Sequence, residues 1–210
     1  MTSPNESLQA LTEIRDLMNR SSKFLSLSGL SGISAGIVAL IGAGVAYLKL
    51  NTGYLSYEGA GLLTNSTRRE VFEFLLIDGL CVMVAALFFG VFFTARKASK
   101  LGESVWNLAS KRLLISLIIP LATGGIFCLA LLNYGIVWVS FPATLIFYGL
   151  ALLNASKYTL RDVAYLGISQ ITLGLISLFL TGYNLLMWAL GFGVLHIVYG
   201  MVMYFKYDKK

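Results

Sequence analysis

The chain has 210 residues, of which 57% are hydrophobic and 12% charged, and a formal net charge of +6. A mean hydropathy of +0.78, with about half the charged fraction of a soluble domain, excludes an ordinary water-soluble globule and makes lipid the solvent. The basic residues gather at the ends of apolar runs, where they set topology or meet anionic lipid, which excludes a nucleic-acid surface.

Residues 1–23 form a polar prelude. Ser3, Pro4 and Glu6 fit the N-cap, N1 and N3 positions of a helix, and Leu8, Leu11, Ile14 and Met18 fall on one face of it. The expectation is a short amphipathic helix lying at the cytoplasmic membrane interface.

The first span is expected over 24–48. Gly32 and Gly36 form a GxxxG pair, which lets another helix approach the backbone closely. A polar loop with the sequon Asn65-Ser66-Thr67 leads into a second span over 71–95. Arg69 and Glu73 are spaced to pair at its mouth, and Asp78 lies two turns deeper. An ionisable group at that depth is a candidate functional residue, because its desolvation has to be offset by a partner or by water.

The stretch 96–112 reads as a basic interfacial helix anchored by Trp106. A third span over 113–132 contains Pro120, which predicts a kink. A tight turn at Asn133-Tyr134-Gly135 leads to a fourth span over 136–153, and a short polar loop to a fifth over 163–180, which contains Gln170. The sixth span, 183–205, carries the only histidine, His196, with Tyr199 three residues on and facing the same way. Residues 206–210 are a basic tail.

The expected fold is therefore an all-α integral membrane protein with six transmembrane helices and a short N-terminal amphipathic helix. A local pattern recurs along it. Phe89-Gly90, Tyr148-Gly149 and Tyr199-Gly200 mark the even spans, and Gly36, Gly125 and Gly174 open similar apolar stretches on the odd ones. This predicts three tandem helical hairpins with Gly32, Gly36, Gly90, Gly125, Gly149, Gly174 and Gly200 as packing positions. Six spans put both termini on one side. That side holds thirteen of the sixteen lysines and arginines, so both termini are expected in the cytoplasm and the chain in the cell membrane. Tyr134, Trp138, Tyr183 and Trp188 would form the outer aromatic belt.

Cys81 and Cys128 both lie inside apolar runs and read as packing residues. With one histidine and no local ligand spacing, neither metal nor cofactor is expected. Phosphate-binding, dinucleotide, zincin and nucleophile-elbow motifs are absent, so no catalytic residue is assigned. Asp78, His196, Tyr199 and Gln170 make up a candidate intramembrane polar site. The expected function is that of a non-catalytic membrane subunit, scaffold or sensor, with a homo-oligomer or another membrane protein as partner. The alternative is a small proton- or ion-linked transporter or channel using Asp78 and His196.

Overall fold

The computed structural model describes residues 23–50, 65–102 and 104–209. The expected N-terminal amphipathic helix lies outside the described residues. Among them every regular element is helical, and six helices are long and apolar enough to cross a bilayer. They are α1 (Gly29–Lys49), α2 (Asn65–Lys100), α3 (Leu108–Asn133), α4 (Val137–Ala155), α5 (Asp162–Phe179) and α6 (Asn184–Asp208). The protein is a multi-span, all-α membrane protein. At 1.5 Å per residue the helices reach from about 27 to 54 Å, against a hydrocarbon core of about 30 Å, so α2 projects well beyond it.

Local chemistry explains the helix ends. Asn107 caps α3, accepting from the Ser110 backbone N–H at 2.8 Å while the Ser110 hydroxyl accepts from the Asn107 N–H at 2.9 Å. Gly135, at a φ of 78°, closes the other end of α3, with Ile136 N–H bonded to the Leu131 carbonyl and Gly135 N–H to that of Leu132. The interfacial helix expected over 96–112 does not form as one element. α2 continues to Lys100, Gly102 turns the chain with a φ of 67°, and α3 starts at Leu108. Apolar spacing is blind to a left-handed glycine, which interrupts the helix.

α3 runs without a break through Pro120. Proline cannot donate to the carbonyl four residues back, which is that of Ser116. The Asn154 side-chain amide of α4 donates to this carbonyl at 2.9 Å. A polar group on a neighbouring helix thus replaces the missing intrahelical bond.

The helices pack in sequence along two hairpins, α1–α2 and α3–α4, with α4 also lying along α5 and α1 along α6. α2 and α3 scarcely touch each other. Burial follows this order. Half of the most apolar stretch of α4 is buried, about a tenth of that of α3, and none of that of α2 (50%, 11% and 0%). One core cluster, around Ala46, Val71, Val137, Phe141 and Leu185, lies on the side of the 51–64 segment. A second, around Leu152, Val163 and Leu166, lies on the side where the first and last helices begin and end, here called the termini side. Trp188, expected in the outer belt, is half-buried: it packs on the cluster of the 51–64 side and lies 4.9 Å from the Phe192 ring.

At the termini side the described segments flanking the first and last helices are tied in. Asp208 accepts from the Gly29 backbone N–H at 2.8 Å and from the Ser28 hydroxyl at 3.0 Å, and pairs with Lys97 at 2.7 Å. Lys97 also donates to the Leu27 carbonyl at 2.9 Å. The Phe24 N–H donates to the Tyr158 carbonyl at 2.8 Å, and the Thr159 hydroxyl donates to the Phe24 carbonyl at 2.7 Å.

Candidate functional site

The polar centre of the bundle is built around a change of helical pitch. α6 begins as a single α-helical stretch, Asn184–Trp188, and widens into a π-helix over Ala189–Leu195 before returning to α-helix at His196. Such wide turns aim side chains and carbonyls that a regular ladder would keep apart. Here His196 Nδ1 lies 3.0 Å from the carbonyl oxygen of Gly191, five residues earlier. A carbonyl can only accept, so this contact assigns the proton to Nδ1. His196 Nε2 then accepts from the Tyr148 hydroxyl of α4 at 2.8 Å. Gln170 of α5 reaches the same carbonyl, its Nε2 donating to Gly191 O at 2.7 Å.

Four side-chain and backbone groups from three helices therefore converge. Gln170 is fully buried and His196 is 5% exposed. The Phe192 ring lies nearly parallel to the imidazole at 5.8 Å and 5.0 Å from the Tyr148 ring. Gly191 leaves room for this packing, since a Cβ there would meet the ends of the Leu145 and Gln170 side chains, the latter at 2.7 Å from Oε1. Both imidazole nitrogens are engaged by the protein's own groups, so the ring offers no free lone pair to a ligand.

The structure divides the polar residues singled out in the sequence. His196 and Gln170 come together, 3.4 Å apart at their nearest nitrogens. Tyr199 does not join them. Its hydroxyl is buried without a hydrogen-bond partner among the described residues, and its side chain lines a shallow cleft of about 230 Å³ with Asp162, Tyr165 and Ser169. Asp78 lies on the α1-facing side of α2, where a Cβ on Gly42 would be 3.7 Å from its Oδ2. It is half-buried and has no hydrogen bond or ion pair among the described residues. Asp78 thus belongs to the α1–α2 seam and not to the His196 cluster. Spacing along one helix suggested Tyr199 as the histidine's companion; the π-helical widening and the α4–α6 approach select Tyr148 instead.

Several polar residues carry contacts that sequence spacing does not reveal. Ser177 and Asn184, both fully buried, pair at 3.0 Å between α5 and α6. Asp162 receives both Lys206, at 2.9 and 3.0 Å, and the Tyr207 hydroxyl at 2.7 Å. The expected Arg69–Glu73 pair is formed at 2.8 Å on the exposed surface of α2. Both cysteines are free, and Cys128 Sγ lies 3.8 Å from the Ser140 carbonyl. No group of three histidine, cysteine, aspartate or glutamate side chains able to hold a metal occurs among the described residues.

Of the glycines expected at helix contacts, Gly32, Gly36, Gly149, Gly174 and Gly200 each face a neighbouring helix within 4 Å of where a Cβ would sit, whereas Gly90 and Gly125 face open space. No protein-family model matches the chain, and no curated protein or solved structure matches it.

Proposed function

We propose that the protein is a non-catalytic membrane subunit that works by lateral association with a membrane-protein partner. The carrying observation is the state of α2. Its most apolar stretch is unburied, yet it holds Asp78, a half-buried carboxylate with no partner among the described residues. A mid-span carboxylate is costly in lipid unless a donor from elsewhere meets it. By contrast His196, Tyr148 and Gln170 engage one another, as structural polar groups in a bundle do.

In this reading the chain sits in the cell membrane, and the excess of lysine and arginine on the termini side keeps both ends in the cytoplasm. Residues 1–23 supply a cytoplasmic contact. No cofactor and no nucleic acid take part.

A photo-crosslinking residue at Leu80 or Val84 of α2, with Ile168 of α5 as control, tests the reading in intact membranes. Discrete protein adducts from α2 and none from Ile168 are expected. Adducts with lipid alone overturn it. Ion or proton flux in proteoliposomes that Asp78→Asn abolishes would favour a transport role instead.

A further inference from the structure

Two helix contacts inside this chain are the same contact. Where α6 meets α1, a Cβ on Gly200 would stand 2.6 Å from the Gly29 carbonyl and 2.5 Å from the Ile33 nitrogen. Where α4 meets α5, a Cβ on Gly149 would stand 2.6 Å from the Gly167 carbonyl and 2.9 Å from the Ile171 nitrogen. The opposing glycines agree as well. Gly36 would meet the Gly193 carbonyl and the Ile197 side chain, each at 2.6 Å, and Gly174 the Pro142 carbonyl at 3.0 Å and the Ile146 side chain at 2.7 Å. Gly29, Ile33 and Gly36 thus answer in unchanged spacing to Gly167, Ile171 and Gly174. Gly193, Ile197 and Gly200 answer likewise to Pro142, Ile146 and Gly149.

The chain contains a third set. Met83, Leu87 and Gly90 on α2 have the spacing of the even helices, and Ile118, Ala122 and Gly125 on α3 that of the odd ones. This third contact is not made: Gly90 and Gly125 have nothing within 4 Å of where a Cβ would sit. We infer that these two faces pair between two copies of this chain, α2 of one against α3 of the other, twice in a two-fold dimer. The inference rests on the lateral-association reading and names the partner.

The α3 of the same chain is not free to cover α2. α2 is held along α1, where Val82 closes on Gly42, and at its end by Lys97, bonded to Asp208 and to the Leu27 carbonyl. α3 is held on α4 by Phe147 against Gly124 and by the Asn154–Ser116 bond. Bringing the two together would break both seams, whereas a second copy presents both faces with the seams intact. Lipid tails are as apolar as these side chains, so hydrophobic burial supplies no drive, and close backbone approach at glycine does. An isologous two-fold arrangement satisfies both faces at once. Ile118 stands where the formed contacts have Gly29 and Gly167, so the third contact is wider at that level.

The test uses the full-length chain in bilayers, in a Cys81→Ala, Cys128→Ala background. One tagged population carries Leu87→Cys and a second, differently tagged, carries Ala122→Cys. Oxidation is expected to give a covalent heterodimer that Gly90→Ile or Gly125→Ile abolishes and Gly44→Ile, at a glycine equally open but on α1, leaves intact. A heterodimer that survives both substitutions overturns the inference. So does a single chain carrying both cysteines that closes only on itself, and so does a chain that stays monomeric. A monomer that still gives adducts with a different membrane protein from Leu80 overturns only self-pairing and leaves the lateral-association reading standing.

Discussion

Asp208 caps the first helix of the bundle from the end of the last one: its Oδ2 accepts the Gly29 backbone N–H at 2.8 Å. Ser28, the residue at the cap position, makes no capping bond of its own. The carboxylate therefore supplies both the acceptor and the negative charge that a helix N-terminus favours. Its other oxygen holds Lys97, and the two side chains are only 10% and 15% exposed, so salt screens the pair weakly.

Replacing Asp208 should unfasten three elements together. Asp208→Ala leaves the Gly29 N–H, the Ser28 hydroxyl and the Lys97 ammonium without this acceptor, and is expected to cost about 2–3 kcal/mol. Asp208→Asn keeps an acceptor for the cap but loses the ion pair, so it should cost less. Thermal unfolding in detergent, followed by helical circular dichroism, checks the order wild type, Asn, Ala. An alanine variant as stable as the wild type would show that the tail is not a fastener.

The Asn154–Ser116 bond gives a sharper test, because its cause is a proline. Asn154→Ala leaves the Ser116 carbonyl, already deprived by Pro120, with no partner, and is expected to cost about 1–3 kcal/mol. Pro120→Ala restores a backbone N–H four residues on and should rescue much of that loss. The measurement is a double-mutant cycle in unfolding free energy. Simple additivity of the two substitutions would show that the asparagine does not act for the proline.

At the histidine the two partners should respond unequally. Tyr148→Phe leaves His196 Nε2 buried and unpaired, a loss of about 1–3 kcal/mol. Gln170→Leu removes a donor from Gly191 O, but that carbonyl keeps His196 Nδ1, and the buried Gln170 Oε1, which has no partner, disappears with it. It should be near neutral. Comparing the two variants' unfolding midpoints decides the matter, and a reversed order would mean that the glutamine anchors the cluster.

Which parts of this architecture the sequence makes visible follows from the range of each signal. Lipid demands long uninterrupted apolar runs, so the six spans and their order stand out, with ends displaced by a few residues where α2 runs on to Lys100 and α6 to Asp208. Periodicity reports which residues share a face but not which face meets which helix. Hence spacing pairs His196 with Tyr199, its neighbour at three residues, although its partner Tyr148 lies across the bundle. Asp208 sits in a tail whose lysines dominate any reading of topology, and Asn154 at a span's edge looks like loop. Their roles depend on a carbonyl and an N–H freed on other helices, and no local spacing encodes that. The recurring aromatic-glycine pairs, Phe89-Gly90, Tyr148-Gly149 and Tyr199-Gly200, are the long-range signal the sequence carries.

That signal leads to a prediction about glycines in pairs. A Cβ on Gly149 or on Gly200 would stand 2.6 Å from a backbone carbonyl oxygen, so a larger side chain at either forces two helices apart. Gly149→Val and Gly200→Val should therefore destabilise alike, by more than the roughly 1–3 kcal/mol of ordinary overpacking, because backbone cannot move aside as a side chain can. Gly44 faces open space in α1, and Gly44→Ala should be neutral or stabilising by up to about 1 kcal/mol, since alanine has the better helix propensity. Unfolding midpoints of the three variants in one detergent check this. If Gly149→Val were tolerated while Gly200→Val was not, the two contacts would differ in energy despite their common geometry, and the equivalence of the α4–α5 and α1–α6 seams would end at the backbone.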